Sequence, residues 1–72
     1  MQVVDFHLRG EFVALCDLLK LAGVADSGGQ GKALVAGGEV TVDGQREDRK
    51  TAKIRAGQVV ACRGVRVSVV AG

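Results

Sequence analysis

Hydrophobic positions along this chain change period twice, and the changes outline its elements. Near the start Val4, Phe6 and Leu8 alternate with Asp5 and His7, a period of two that predicts a short strand. From Glu11 the spacing becomes helical. Phe12, Leu15, Leu18, Leu19 and Ala22 fall on one face and leave Asp17 and Lys20 to solvent. The pattern predicts an amphipathic helix with Glu11 in its first turn, at the positive end of the helix dipole, and with Gly23 as its stop. Both phenylalanines, Phe6 and Phe12, occupy positions that read as core. A second helix is predicted to start at Ser27, whose hydroxyl can accept from free backbone N–H groups while Gln30 reaches back to the cap. It continues through Lys32, Ala33, Leu34 and Val35 and stops at Gly37-Gly38, too short to hold without tertiary packing.

Beyond Gly38 the period returns to two, with Val40 and Val42 alternating with Glu39 and Thr41. Asp43-Gly44 predicts a two-residue type I′ hairpin turn, which requires positive φ at both central positions, and a return strand from Gln45. The stretch from Glu47 to Lys53 is nearly all polar and reads as a loop or an exposed edge. Ile54, Val59 and Val60 resume the apolar pattern around Gly57. Arg63-Gly64 then separates two further strands, with Val65, Val67 and Val69 on one face. No internal repeat, linker or low-complexity run divides the chain. The expectation is an α+β fold over residues 1–72 as one domain, with two short helices packed on a small, mostly antiparallel sheet.

Composition narrows this picture. A chain of 72 residues buries only about 60% of its unfolded surface, which leaves no room for a deep substrate cavity beside the core. With two Phe and no Trp or Tyr, the core must be aliphatic. Cys16 and Cys62 form no C-x-x-C pair, so they read as buried and reduced rather than as a zinc or disulfide framework. The first residues lack the basic-then-apolar order of a secretory signal, and the apolar stretch from Phe12 to Ala25 is too short and too charged to span a bilayer. A cytoplasmic monomer without membrane association is the default expectation. His7 is the one histidine and Asp43 is explained by its turn, so neither a metal site nor a catalytic constellation is expected, and no cofactor.

Charge is uneven. Residues 1–36 carry a net −1 and residues 37–72 a net +3. Between positions 46 and 66 stand Arg46, Arg49, Lys50, Lys53, Arg55, Arg63 and Arg66 against Glu47 and Asp48 alone. Such a cluster can neutralise phosphates and release condensed counterions without reading bases. A plain polar edge that discourages strand-to-strand aggregation is the competing explanation. The run Gly28-Gly29-Gln30-Gly31-Lys32 is the second candidate. It fails the Walker A spacing, where Asp26 and Ala33 occupy the diagnostic places, and it follows a helix rather than the strand that a dinucleotide motif needs. What remains is a helix N-terminus of bare backbone that suits an anion, or else a flexible turn between helices. Because readers of single strands stack bases on aromatic side chains, two core phenylalanines favour phosphate and shape recognition of folded RNA.

The order of parts, a helix, a capped second helix, then a Val-x-Val-Asp-Gly hairpin followed by basic residues, resembles the S-four RNA-binding domain with its alpha-L motif, over approximately Glu11 to Val60. The chain is also similar to the YbcJ-like subfamily. The matching segments are Leu15-Cys16-Asp17-Leu18-Leu19-Lys20-Leu21, Ser27-Gly28, Lys32, Gly38-x-Val40-x-Val42-Asp43-Gly44 and Glu47-x-Arg49-Lys50-x-x-Lys53, continuing to Val70. The resemblance implies structured RNA, including ribosomal RNA, as partner, bound in a groove between the two helices and the hairpin. On matching positions it implicates the backbone at Ser27, Gly28 and Gly29, then Lys32, Arg49, Lys50 and Lys53, with Arg46 and Arg55 nearby. Many members carry Arg directly after the cap serine, where this chain has Gly28; Lys32 is a cation one turn later. Two other readings are a protein adaptor docking an acidic partner through the same basic edge, and an accessory module of an RNA-modifying enzyme.

Overall fold

In the computed structural model, which describes residues 2–72, the chain forms nine elements. They are β1 (Gln2–Leu8), β2 (Val13–Ala14), α1 (Leu15–Leu21), α2 (Gly28–Ala36), β3 (Val40–Val42), β4 (Gln45–Arg46), β5 (Lys53–Ile54), β6 (Val59–Cys62) and β7 (Val65–Ala71). Five strands make one sheet in the order β1-β7-β6-β3-β4. Its β3–β4, β3–β6 and β6–β7 pairs are antiparallel, and β1 lies parallel to β7 at the edge. β2 and β5 form a separate two-stranded antiparallel ribbon. The first and last strands are therefore neighbours, and the strand expected from the alternation at Val4, Phe6 and Leu8 spans Gln2–Leu8.

Strand pleating sends alternate side chains to opposite faces, and the valines of this chain use that rule to build the core. Val40, Val60, Val67 and Val69 are fully or almost fully buried from the sheet side. Leu15, Leu18 and Leu19 of α1 and Leu34 and Val35 of α2 meet them in one aliphatic cluster. Each such side chain removed from water contributes about 1.5–3 kcal/mol. Both helices need this support: α1 has seven residues and α2 nine, lengths that are unstable in isolation. Cys16 and Cys62 are buried and free, as their spacing implies.

Turn chemistry agrees with the sequence reading. Asp43 and Gly44 have φ of 52° and 83°, positive at both places as a type I′ turn demands. The Asp43 carboxylate accepts from the Val59 N–H at 2.9 Å, and the Asp43 N–H donates to the Val59 carbonyl at 2.8 Å, tying the hairpin to β6. Arg63 and Gly64 repeat the pattern with φ of 49° and 76°.

The first helix departs from expectation. It starts at Leu15, not Glu11, because Val13 and Ala14 are extended and pair with Ile54 and Lys53. Apolar positions four residues before Leu19 and seven before it fit a helix, but Val13 and Leu15 also fit a strand that turns into one. The ladder partner in β5 decides between them. Glu11 accordingly lies outside the helix, and Phe12 falls on the outer face of the ribbon, 42% exposed rather than in the core.

Candidate functional site

Ser27 is extended, with φ of −152°, and its hydroxyl accepts from the Gln30 N–H at 3.1 Å, which completes the cap of α2. The Gln30 side chain reaches back one residue further than a capping box requires, to the Asp26 N–H. Both contacts hold the first turn of α2 in place and leave its glycines uncovered. A Cβ at Gly28 would meet nothing within 4 Å, and one at Gly29 only the Ser27 Oγ at 3.8 Å. Gly31 is different: a Cβ there would stand 2.6 Å from the Cys16 carbonyl oxygen. The third glycine of the run is required for the close approach of the two helices. Lys32 follows on the exposed side.

The start of α1 has no side-chain cap. Two of its orphan N–H groups are satisfied by the polar loop 47–52 instead: Leu15 donates to the Ala52 carbonyl at 2.9 Å and Cys16 to the Lys50 carbonyl at 3.0 Å. The loop is thus docked on the helix end through its backbone. Lys50 is exposed on that loop, and Lys53 is exposed at the start of β5 opposite Ala14. Cys16 is the joint of the arrangement, since its N–H is bound to the loop and its carbonyl lies against Gly31 of α2. Through Cys16 the loop that carries Lys50 and the helix that carries Gly28, Gly29 and Lys32 meet at the start of α1 in one helix–helix–loop junction, and Lys53 lies opposite Ala14, the residue before α1. Arg49, Thr51, Ala52 and Lys53 line a shallow hollow of about 350 Å³.

The seven cations between 46 and 66 do not act as one patch. Arg46 lies over Gly38, where a Cβ would be 2.7 Å from the guanidinium carbon, and it binds Asp48 at 2.8 Å. That places it beyond the C-terminal end of α2, at least ~12 Å along the helix from Gly28 at 1.5 Å per residue. Arg63 forms a two-pronged pair with Glu39 at 3.0 and 3.2 Å. Arg66 stands between half-buried Val65 and buried Val67, and so lies on the sheet face away from the helices, beside Val3. Arg49 stays at the junction, bound to Glu47 at 2.8 Å but with its side chain 81% exposed. Exposed pairs of this kind are worth about 0–1 kcal/mol, so a phosphate can compete for the guanidinium. Among the described residues Lys32, Lys50, Lys53 and Arg55 form no ion pair.

The carboxylates respond to these pairings. A side-chain hydrogen bond from Arg49 holds the Glu47 carboxyl below its ordinary range, and Arg63 does the same for Glu39. Burial, followed by the Glu39 charge, pushes the Cys62 thiol up against the opposing pull of Arg63. The shift favours the protonated form of Cys62. Among the described residues no group of three or more His, Cys, Asp or Glu could hold a metal ion, and no helix is long and apolar enough to cross a membrane.

One surface residue escapes the sequence reading. Phe12 stands outside the ribbon with the Lys53 ammonium 4.9 Å and the Arg55 guanidinium 5.8 Å from its ring centre. The local pattern carries no signal for this, because Phe12, Val13, Ala14 and Leu15 form an unbroken apolar run.

Comparison with known proteins points in one direction. The family model described as S4 domain matches residues 6–70. The chain is 56% identical over 59 residues to the "Putative RNA-binding protein YbcJ" of Escherichia coli (strain K12), covering 82% of this chain and 84% of that protein. The "Uncharacterized protein YbcJ" of Shigella flexneri matches to the same extent. The solution structure of E. coli YbcJ, described as revealing an alfaL motif involved in RNA-binding, aligns with a TM-score of 0.67 and 46% sequence identity. That alignment covers 99% of this chain and 89% of the other.

Proposed function

The chain belongs to the S4 domain family, and from that premise we propose that it is a binding domain, not an enzyme, that grips structured RNA through phosphate contacts. The contacts are made by the backbone at Ser27, Gly28 and Gly29 and by Lys32, Arg49, Lys50 and Lys53. Arg55 lies at the margin of this surface, and Arg46 contributes to the fold at the far end of α2. Ribosomal or ribosome-associated RNA is the class of target that the family resemblance favours. The observation that carries the reading is the double engagement of Cys16: the Lys50 carbonyl binds its N–H while Gly31 lies against its carbonyl. Two segments distant in sequence, one offering bare N–H groups and the other cations, are thereby joined at one helix end. A helix N-terminus and lysines are complementary to phosphate for the same electrostatic reason.

Replacing Arg49, Lys50 and Lys53 together by Ala tests the proposal. Their side chains are exposed, so the circular dichroism spectrum is expected to stay unchanged. Affinity for structured RNA is expected to fall broadly across sequences. The slope of log K against log salt is expected to flatten by roughly 2–3, at about 0.7–0.9 for each phosphate that is no longer neutralised. Undiminished affinity and an unchanged slope in the triple variant would remove the loop from the binding surface.

A further inference from the structure

Phe12 is one of two aromatic residues in the chain, and it is not used in the core. Its position follows from the ribbon. Val13 is paired with Ile54 and Ala14 with Lys53; continuing that register sets Phe12 opposite Arg55. Pleating turns Ile54 inward, where it is 1% exposed, and leaves Lys53 and Arg55 on the outer side with the ring. Lys53 has a second role, because it also lines the hollow formed with Arg49, Thr51 and Ala52. Lys53 therefore links an exposed flat ring to a small concave site that also carries the Arg49 cation.

We infer that this combination is a seat for one unpaired nucleotide of the RNA, its base stacked on Phe12 and its phosphate held by Lys53 and Arg49. The inference rests on the proposed RNA-binding function and narrows the target to a structured RNA that carries a bulged or otherwise unstacked nucleotide. A nucleotide fits what is present because it joins a π face to an anionic group a few ångströms away. The hollow, about 350 Å³, lies at the small end of ligand sites. Cations that now lie over the ring are held there only by the weak attraction of an exposed cation–π contact. They can turn to a phosphate when a base takes the ring face. Every base has such a face, so the seat selects an unstacked nucleotide without selecting its identity.

Three RNA hairpins decide the matter: one fully paired, one with a single bulged nucleotide, and one in which that nucleotide is abasic. The wild-type chain is expected to bind the base-bearing bulge about tenfold more tightly than the other two, the scale of one aromatic–base stack. Phe12→Ala and Phe12→Leu are expected to lose that preference while binding the paired hairpin as the wild type does. Phe12→Trp is expected to retain it, with indole fluorescence quenched by the bulged base. The Leu variant keeps the apolar bulk, and amide spectra of each variant report the fold. Equal wild-type affinity for the base-bearing and abasic bulges would overturn the inference alone, as would a preference that survives in the Leu variant. Absence of wild-type binding to all three hairpins at low salt would overturn the parent reading as well.

Discussion

At Gly31 a Cβ would be driven to within 2.6 Å of the Cys16 carbonyl, whereas at Gly28, three residues earlier on the same helix, it would enter open space. The two ends of this short glycine run answer to different constraints. Gly31 is a packing residue: it lets α2 approach the backbone of α1, and a side chain there must push two helices apart. Gly28 and Gly29 have no such neighbour to spare, and neither has the positive φ that would demand glycine. Bare helical backbone costs up to about 1 kcal/mol per residue relative to Ala. A cost without a packing or conformational reason is what a surface reserved for a ligand would show. Composition alone cannot separate these two roles, because all three residues read as G.

The contrast can be broken by substitution, and the largest effect is expected at the packed end. Gly31→Ala forces the overlap with Cys16 and is expected to destabilise by about 1–3 kcal/mol, the range for overpacking in a tight interior. A lower urea midpoint with an unchanged slope would register it. An unchanged midpoint would mean that the helices separate without cost and that Gly31 is not a packing residue. A smaller loss, about 1 kcal/mol, is expected for Ser27→Ala, which removes the hydroxyl that accepts from Gln30. The smallest change is expected at the open end, and with the opposite sign. Gly28→Ala should raise stability by about 0.4–1 kcal/mol through the unfolded chain while weakening RNA binding several-fold. If stability and affinity both rose, the open glycines would be a plain linker between helices.

Most of the fold was legible because its signals are local. The Ser27 cap, the Gly37-Gly38 stop, and the Asp43-Gly44 and Arg63-Gly64 turns each depend on atoms within a few residues, and each is where the residue types place it. The Val40–Val42 and Val65–Val69 alternations likewise report which face is buried. The start of α1 was not legible, since its position depends on ladder partners in β5 and on two carbonyls of the loop 47–52. Phe12 followed that error: counted as part of a helix it belongs to the core, and paired in a ribbon it faces out.

The candidate site shows the same division. Residue types alone identified a capped helix start and a surplus of cations in the second half of the chain, because charge and capping chemistry belong to individual side chains. Where each cation stands was decided by the tertiary structure. It binds Arg63 to Glu39, carries Arg46 past the end of α2, turns Arg66 to the opposite sheet face, and keeps Lys50 and Lys53 at the start of α1. The physical reason is one of range. Periodicity, caps and turns are written in neighbouring residues, but a shared surface depends on contacts between segments that meet only after the chain has folded.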